Sequence, residues 1–431
     1  MADRLVVLLT NVWLTERGGS ETVVRDVALG LLRRGHRPIV YSPALGPPAE
    51  EMAHSGISVI DDLRQLAETP DIIHAHHAVP CGEALVRFPQ TPTIYVCHSF
   101  SLWMEAPVHF PQIGAYVAVD EACRDRLVHT EGIAPEHVTI VRNAVDLRRI
   151  PPRLQPPRAR PQRVLAFSKA AAMPEPRIAC ERLGLEYHAL GSGIGRTVAR
   201  PEHELVNFDL VFASGRAALE AMCCGCAVVA CDLRGSAGLV TPQNFDVLRV
   251  HNFGLRCLDE AVTVDHCVRE VGRYDPEQAG LVMRRARDEG DFEKALDRFE
   301  GLYAEVLAGP RRPTITAHAH ERAVARFLHN YLPRRPGDSR WPWMVEKERM
   351  EKEVHALQSR IAELSEQLER AERDARALAA VEAQLAQVAA ERERLGAALA
   401  DVSSQLADVK RSRLLRWGRS LRRLAGLPVP Y

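Results

Sequence analysis

A chain of 431 residues is too long for one ordinary domain, and 46% apolar with 26% charged residues suits a folded protein with more than one core. Lys and Arg number 56 and Asp and Glu also 56, so no global charge draws the chain to nucleic acid or membrane, and any such attraction must be local. No run reaches the roughly 18 apolar residues of a membrane span, and the cysteines lack the spacing of a disulfide framework, which fits a reducing cytoplasm.

The apolar run at 4–12 reads as a strand covered on both faces, without the cleavage region of a signal peptide. Gly18, Gly19, Ser20 and Glu21 follow, then Val24, Val27 and Leu31 at helical spacing up to Gly35. Further strands are predicted at 37–42, 71–75, 93–97, 116–119 and 138–141. A helix is predicted at 121–130, where Asp120 and Glu121 suit its cap and dipole. This alternation predicts a doubly wound parallel α/β lobe over 1–150. Residues 151–162 are proline-rich and basic, as in a semi-rigid linker. Strands at 163–167, 210–213 and 227–231, helices near 178–183 and 216–224, and helical segments through 258–307 then predict a second such lobe over 163–309. A connecting segment at 310–343 ends with Trp341 and Trp343 around Pro342, either packing against the first lobe or acting as a hinge.

From 344 onward charge rises, and Val354, Leu357, Ile361, Leu364, Leu368, Ala371, Ala375 and Leu378 recur at steps of three and four. That is a coiled-coil seam; it resumes from Val381 to Val409, and a helix over 344–410 would extend on the order of 100 Å. Its stripe needs a partner, either a second copy or another protein. In the basic tail, 411–431, Leu414, Trp417, Leu421 and Leu424 share a helical face with arginines opposite. Residues 410–424 thus suit an anionic membrane surface, the alternatives being a solvated helix end or a nucleic-acid contact.

Two places carry chemistry. Gly18 and Gly19 allow close backbone approach and Ser20 can cap the following helix, whose free N–H groups favour an anion; the same pair also occurs in plain tight turns. The strand at 210–213 ends at Ser214, Gly215 permits the turn, and the next helix aims its N–H groups at the carboxyl edge of the sheet, where ligands of open α/β sheets bind. Arg216 adds a fork suited to phosphate. Glu220, one turn on, can accept hydrogen bonds from a ribose diol. His74, His76 and His77, and Cys223, Cys226 and Cys231, read as buried positions and not as zinc ligands, since no second ligand pair has the required spacing.

Gly18-Gly19-Ser20-Glu21, residues 71–76, the stretch 117–126, Asn143-Ala144-Val145-Asp146 and Ala218-Leu219-Glu220-Ala221-Met222 fall in one order. Together they resemble the retaining GT-B glycosyltransferases of family 4 over about the first 310 residues. The resemblance implies a GT-B α/β fold of two Rossmann-like lobes, here followed by the coiled coil, with a nucleotide-sugar donor in the cleft. It implies Glu220 on the ribose, Lys169 facing the diphosphate, His98 beside the transferred sugar, and no metal or other cofactor. It further implies attack by an acceptor hydroxyl, glycan or lipid-linked, with retention, often at the inner face of a membrane. Three positions depart from the family: Phe212 replaces a glutamate, Ala144 replaces glycine, and no second basic residue closely follows Lys169, Arg177 being a poor substitute. These departures leave open a scaffold whose lobes no longer catalyse and which works through its coiled coil. A nucleotide-sugar epimerase on the same architecture ranks lower.

Overall fold

The computed structural model describes residues 4–331, apart from 151–152, 154–156, 169–172, 192–195, 197 and 199, together with 357–361, 363–365, 387 and 389–407. The chain divides into two compact units, residues 1–331 and 332–431.

In the first unit, β1 (Val6–Thr10), α1 (Gly19–Arg33), β2 (Arg37–Tyr41), α2 (Pro47–His54), β3 (Ser58–Ile60), β4 (Ile72–His76) and α3 (Ala78–Arg87) begin the first lobe. β5 (Thr93–Cys97), β6 (Ile113–Ala118), α4 (Glu121–Asp125) and β7 (Val138–Ile140) complete its sheet, ordered β3-β2-β1-β4-β5-β6-β7. Every pairing in it is parallel. The central strands β4, β5 and β6 are buried along their whole length, as strands with helices over both faces are, and β4 carries His74 and His76 into that interior. Strand order reverses about β1, which lies between β2 and β4, so the carboxyl ends of β1 and β4 flank a natural crevice.

The second lobe repeats the plan with β8 (Arg163–Phe167), α5 (Pro174–Leu183), β9 (Glu186–Leu190), α6 (Pro201–Leu205), β10 (Leu210–Ala213), α7 (Gly215–Cys223), β11 (Ala227–Asp232) and β12 (Gly235–Leu239). The order is β12-β11-β10-β8-β9, with β12 antiparallel at the edge, and the crevice lies between β8 and β10. α8 (Phe245–Val250), α9 (Val264–Gly272) and α10 (Pro276–Glu289) follow. The linker is tethered: Arg158 pairs at 2.9 Å with the buried Asp209, and Arg153 donates to the Phe208 carbonyl at 3.0 Å.

Three details differ from the sequence expectation. The predicted helix at 121–130 is α4 followed by a π-helical turn, Arg126–Thr130, although Asp120 caps it as expected, accepting the Cys123 N–H at 2.8 Å. The strands β3, β9 and β12 went unpredicted, β3 and β9 because they are short or half-exposed and β12 because Gly-Ser-Ala-Gly-Leu carries little strand signal. Packing also moves the lobe boundary away from 309. α11 (Phe292–Leu307) returns to bury Phe292, Leu296, Phe299, Tyr303 and Val306 in the first core, and α12 (Ala317–Tyr331) follows with Ala323 and Phe327. The chain makes this return at residue 145, where Val145 donates to the Gly290 carbonyl and Phe292 donates back to Val145.

In the second unit, Arg360 and Glu391 form a 3.6 Å ion pair. A straight helix would hold those positions about 46 Å apart, so the described helical segments approach each other at this pair and do not run on in one 100 Å rod. Leu364 on the expected seam is buried. The rest of the seam, Trp341, Trp343 and the basic tail 410–424 lie outside the described residues. Among the described residues no helix is long and apolar enough to cross a membrane.

α12 is seated by a close approach: a Cβ at Gly82 of α3 would overlap the Phe327 ring. Gly82→Ala is therefore expected to destabilise the first lobe by about 1–3 kcal/mol in urea unfolding. Adding Phe327→Leu is expected to recover part of that loss. Equal stability of Gly82→Ala and the parent chain would show that α12 does not dock there.

Candidate functional site

The crevices of the two sheets face one another across a cavity of about 140 Å³. The first lobe contributes Arg17, Gly18, Gly19, Thr22 and Arg25 to its wall, the second contributes Ser168, Gly191, Arg196, Arg216 and Glu220, and Arg149 comes from the segment that crosses between them. The glycine loop and the start of α7, singled out separately in the sequence, thus meet at one place.

The wall is organised around a carboxylate. Asp26 of α1 is only 2% exposed and holds Arg216 at 2.5 Å and Arg25 at 2.7 Å, with Arg149 at 3.7 Å. Burial alone would raise its carboxyl, but Arg216 and Arg25, then Arg149, outweigh that and keep it below the usual carboxylate range. Burial correspondingly works against the Arg216 cation, and Asp26 and Glu220 overcome it. Arg216 also donates to Glu220 at 3.0 Å, one helical turn along α7, and Arg149 reaches Glu202 at 3.1 Å. Arg216 and Glu220, both expected to hold a donor, are therefore engaged with each other, and Arg216 also with the opposite lobe.

Of the other expected residues, Gly215, Ser214 and Ser20 are described near this centre, and the capping role expected of Ser20 is corrected. Gly215 has φ +62° at the first position of α7, a left-handed conformation that glycine adopts without strain, and a Cβ there would meet open space. Ser214, expected to bind donor, donates to Asp232 at 2.8 Å. Ser20 does not cap α1: the helix starts at Gly19, Gly18 is its N-cap without a side-chain bond, and the Glu21 carboxylate folds back over Gly18. Trp13 Nε1 and Ser20 Oγ donate to that carboxylate at 2.6 and 3.1 Å, so an anion of the chain's own already sits at the end of α1. Phe212 is fully buried in the second lobe and presents no polar group to the cleft. Lys169 lies outside the described residues, next to the cavity-lining Ser168. Among the described residues no group of three or more His, Cys, Asp or Glu is arranged to hold a metal ion.

His98 belongs to a neighbouring cluster at the carboxyl ends of β4 and β5. Its Nε2 lies 2.6 Å from His76 Nδ1, and the His74 ring lies near-parallel to that of His76. His74 Nδ1 lies 2.6 Å from the Tyr303 hydroxyl on α11. The His98 N–H donates to Glu105 at 3.0 Å, and Glu105 also meets His77 at 3.2 Å. His77 has φ +63°, a strained conformation for a residue with a Cβ, held at the mouth of the crevice. Burial pushes His74 down to about 3, His98 down to about 4, and His76 well below the ordinary histidine value. Burial works to raise Glu105, but His77 and His98 outweigh it and bring the carboxyl to about 2. Arg126, in the π-helical turn, pins the loop after β5 by donating to Ser99 and Leu102 carbonyls at 2.7 and 2.8 Å. His76, Glu105 and Asp26 escaped sequence reasoning as site residues, because a charge on a helix or a histidine in a strand shows nothing of its distant partner.

Two measurements follow from this electrostatics. Asp26→Asn leaves the Arg216 cation buried with one partner fewer, and is expected to lower stability by about 3 kcal/mol in urea unfolding; an unchanged midpoint would contradict the central role of Asp26. The three depressed imidazoles contribute stability that is fully present above their unfolded value of about 6.5. As pH falls through 6.5 toward 4, the unfolded chain takes protons that the folded chain refuses, so stability falls by up to about 1.4 kcal/mol per pH unit for each ring. Urea midpoints at pH 7.5 and 5 are expected to differ accordingly, and less so in His76→Asn. Equal midpoints in the parent chain would contradict buried neutral rings.

Residues 17–149, nearly the whole first lobe, match the family Glycosyltransferase Family 4. No curated protein matches the chain significantly. Among solved structures, a glycosyltransferase from Rickettsia africae is similar at 14% identity with a TM-score of 0.50, over 71% of this chain and 99% of its own. HepE of Anabaena in complex with UDP and glucose is similar at 14% identity with a TM-score of 0.48, over 70% of this chain and 100% of its own. A putative UDP-N-acetylglucosamine 2-epimerase from Listeria monocytogenes follows at 13% identity and a TM-score of 0.47, over 73% and 99%. The two facing α/β lobes have the GT-B fold, and with the family match over the first lobe they support a GT-B glycosyltransferase.

Proposed function

We propose that the chain transfers a sugar from a nucleotide-sugar donor to an acceptor hydroxyl, with retention of configuration. The observation that carries this reading is the meeting of Gly18 and Gly19 from one lobe with Arg216 and Glu220 from the other around one arginine-lined cavity. A leaving nucleoside diphosphate gains negative charge as the glycosidic bond breaks, and fixed cations aimed at it stabilise that change without reorganisation. Arg216, Arg25 and Arg149 are such cations, and Lys169 is the further one that the family resemblance implies. Donor binding would exchange anions: the diphosphate takes over from Asp26 and Glu220 as partner of Arg216, and Glu220 is released to accept from the ribose hydroxyls. The acceptor oxygen attacks the anomeric carbon on the face that the diphosphate leaves, while the diphosphate oxygen receives the acceptor proton. His98 positions the sugar. The scheme invokes no metal.

The acceptor in this reading is a glycan or a lipid-linked glycan in the cytoplasm, at the inner face of a membrane. The basic segment 410–424 supplies the surface attachment, and the helical region 344–410 supplies contacts to a second copy or another protein. A catalytically impaired scaffold remains the rival, favoured by the apolar Phe212 and by the engagement of Glu220 with Arg216.

A thermal-shift series with UDP-, GDP-, ADP- and dTDP-sugars decides between them. One nucleotide class is expected to stabilise the full chain, by about 2.7 kcal/mol at a hundredfold excess over Kd. Glu220→Ala is expected to lose most of that shift, and slow donor hydrolysis is expected without acceptor. A well-folded sample that responds to no donor would overturn the transferase reading in favour of the scaffold.

A further inference from the structure

The histidine cluster holds one ring nitrogen pair whose proton can be assigned from its surroundings. His76 is fully buried, and its two nitrogens are unequal: Nδ1 faces His98 Nε2 at 2.6 Å, while Nε2 is buried without a hydrogen-bond partner among the described residues. The two rings lie within 15° of parallel with centroids 4.9 Å apart. A 2.6 Å nitrogen separation at that centroid distance puts them edge to edge, as a direct N–H···N bond requires. Both rings are kept neutral by burial, so each carries a single N–H. A proton on His76 Nε2 would be an orphaned buried donor, which folded proteins tolerate far less often than an unused acceptor lone pair. The proton therefore sits on His76 Nδ1 and is donated to His98 Nε2.

We infer that His76 is a positioning residue: by donating from Nδ1 it fixes the His98 proton on Nδ1, so His98 meets its ligand as a neutral hydrogen-bond donor and not as a base. The ligand group is then an acceptor oxygen, a sugar hydroxyl or a phosphate oxygen. Its identity as part of a nucleotide-sugar rests on the proposed function, whereas the tautomer does not. Two further contacts make the arrangement stiff. The His98 N–H is anchored by Glu105 at 3.0 Å, and β4 and β5 are hydrogen-bonded neighbours, with His76 paired to Val96 two residues before His98. His98 itself is partly exposed, and among the described residues nothing accepts from its Nδ1.

The test is long-range proton–nitrogen correlation of imidazoles in the full chain labelled with 15N-histidine, the His98 signals being identified by their loss in His98→Gln. The expected pattern for His98 is a protonated Nδ1 and an unprotonated Nε2. His76→Leu is expected to move the His98 proton toward Nε2. His76→Asn, whose amide nitrogen occupies the place of Nδ1, is expected to keep it on Nδ1. Where donor turnover is measurable, His76→Leu is expected to lower kcat about tenfold at little-changed KM, the loss of one oriented hydrogen bond, with His76→Asn restoring most of it. A protonated His98 Nε2 in the parent chain overturns the inference, even if His76→Leu fails to fold. An absence of donor binding would overturn the transferase reading and leave the tautomer result standing.

Discussion

The first lobe buries a carboxylate at its edge, and the cleft is built around the need to neutralise it. Asp26 lies on the face of α1 that turns toward the second lobe, with its side chain almost wholly withdrawn from water. A lone carboxylate there would cost several kcal/mol. Its cations come from three places: Arg25 beside it in sequence, Arg149 just beyond the segment where the chain passes between lobes, and Arg216 at the start of α7, 190 residues away. The third of these couples the two lobes, because Asp26 and Arg216 each lose one partner when the other lobe is displaced. A cleft held shut by such a pair is also selective, since a ligand that competes for Arg216 must be an anion itself.

The return of α11 and α12 to the first core supports this geometry. Phe292, Leu296 and Phe299 fill the first lobe while the residues just before them, through the Val145–Gly290 bond, remain attached to the second. Arg34 strengthens the seam at the surface by reaching Glu293, Asp297 and Glu300 on α11. These surface pairs contribute little singly, and the apolar face of α11 supplies most of the adhesion. The crossing between lobes is thus a short backbone bridge flanked by packed helix.

What the sequence made legible was local chemistry. The strand at 4–12 declared itself by a nearly continuous apolar run, those at 71–75 and 93–97 by strand signals between helices, Asp120 announced its cap, and Gly215 announced a turn. Burial of a charge on a helix announces nothing. Nothing in the sequence separates Arg25 and Asp26 from a solvated helix face, and only the three-dimensional meeting with Arg216 reveals them as the centre of the site. Ser20 misled for a related reason: it has the chemistry of a cap, but Glu21 one residue later reaches the helix end first. The approach of helical segments to each other in the second unit is equally invisible to a heptad pattern, which specifies a stripe but not whether its partner is another molecule or a later part of the same chain.

Arginines and histidines divide the site between them. The Arg216 charge reaches far enough to push the His98 ring down further, but burial is the larger cause, so His98 is neutral whether or not an anion covers Arg216. Charge exchange at Arg216 can therefore proceed without a proton entering or leaving the histidine cluster. In the proposed transfer the fixed cations would answer the growing charge of a leaving group, while neutral imidazoles, whose protons are held in place by burial and by one another, would contribute direction. A protonated histidine in the same position would attract the diphosphate away from Arg216 and blur the distinction between the end of the ligand that departs and the end that is transferred.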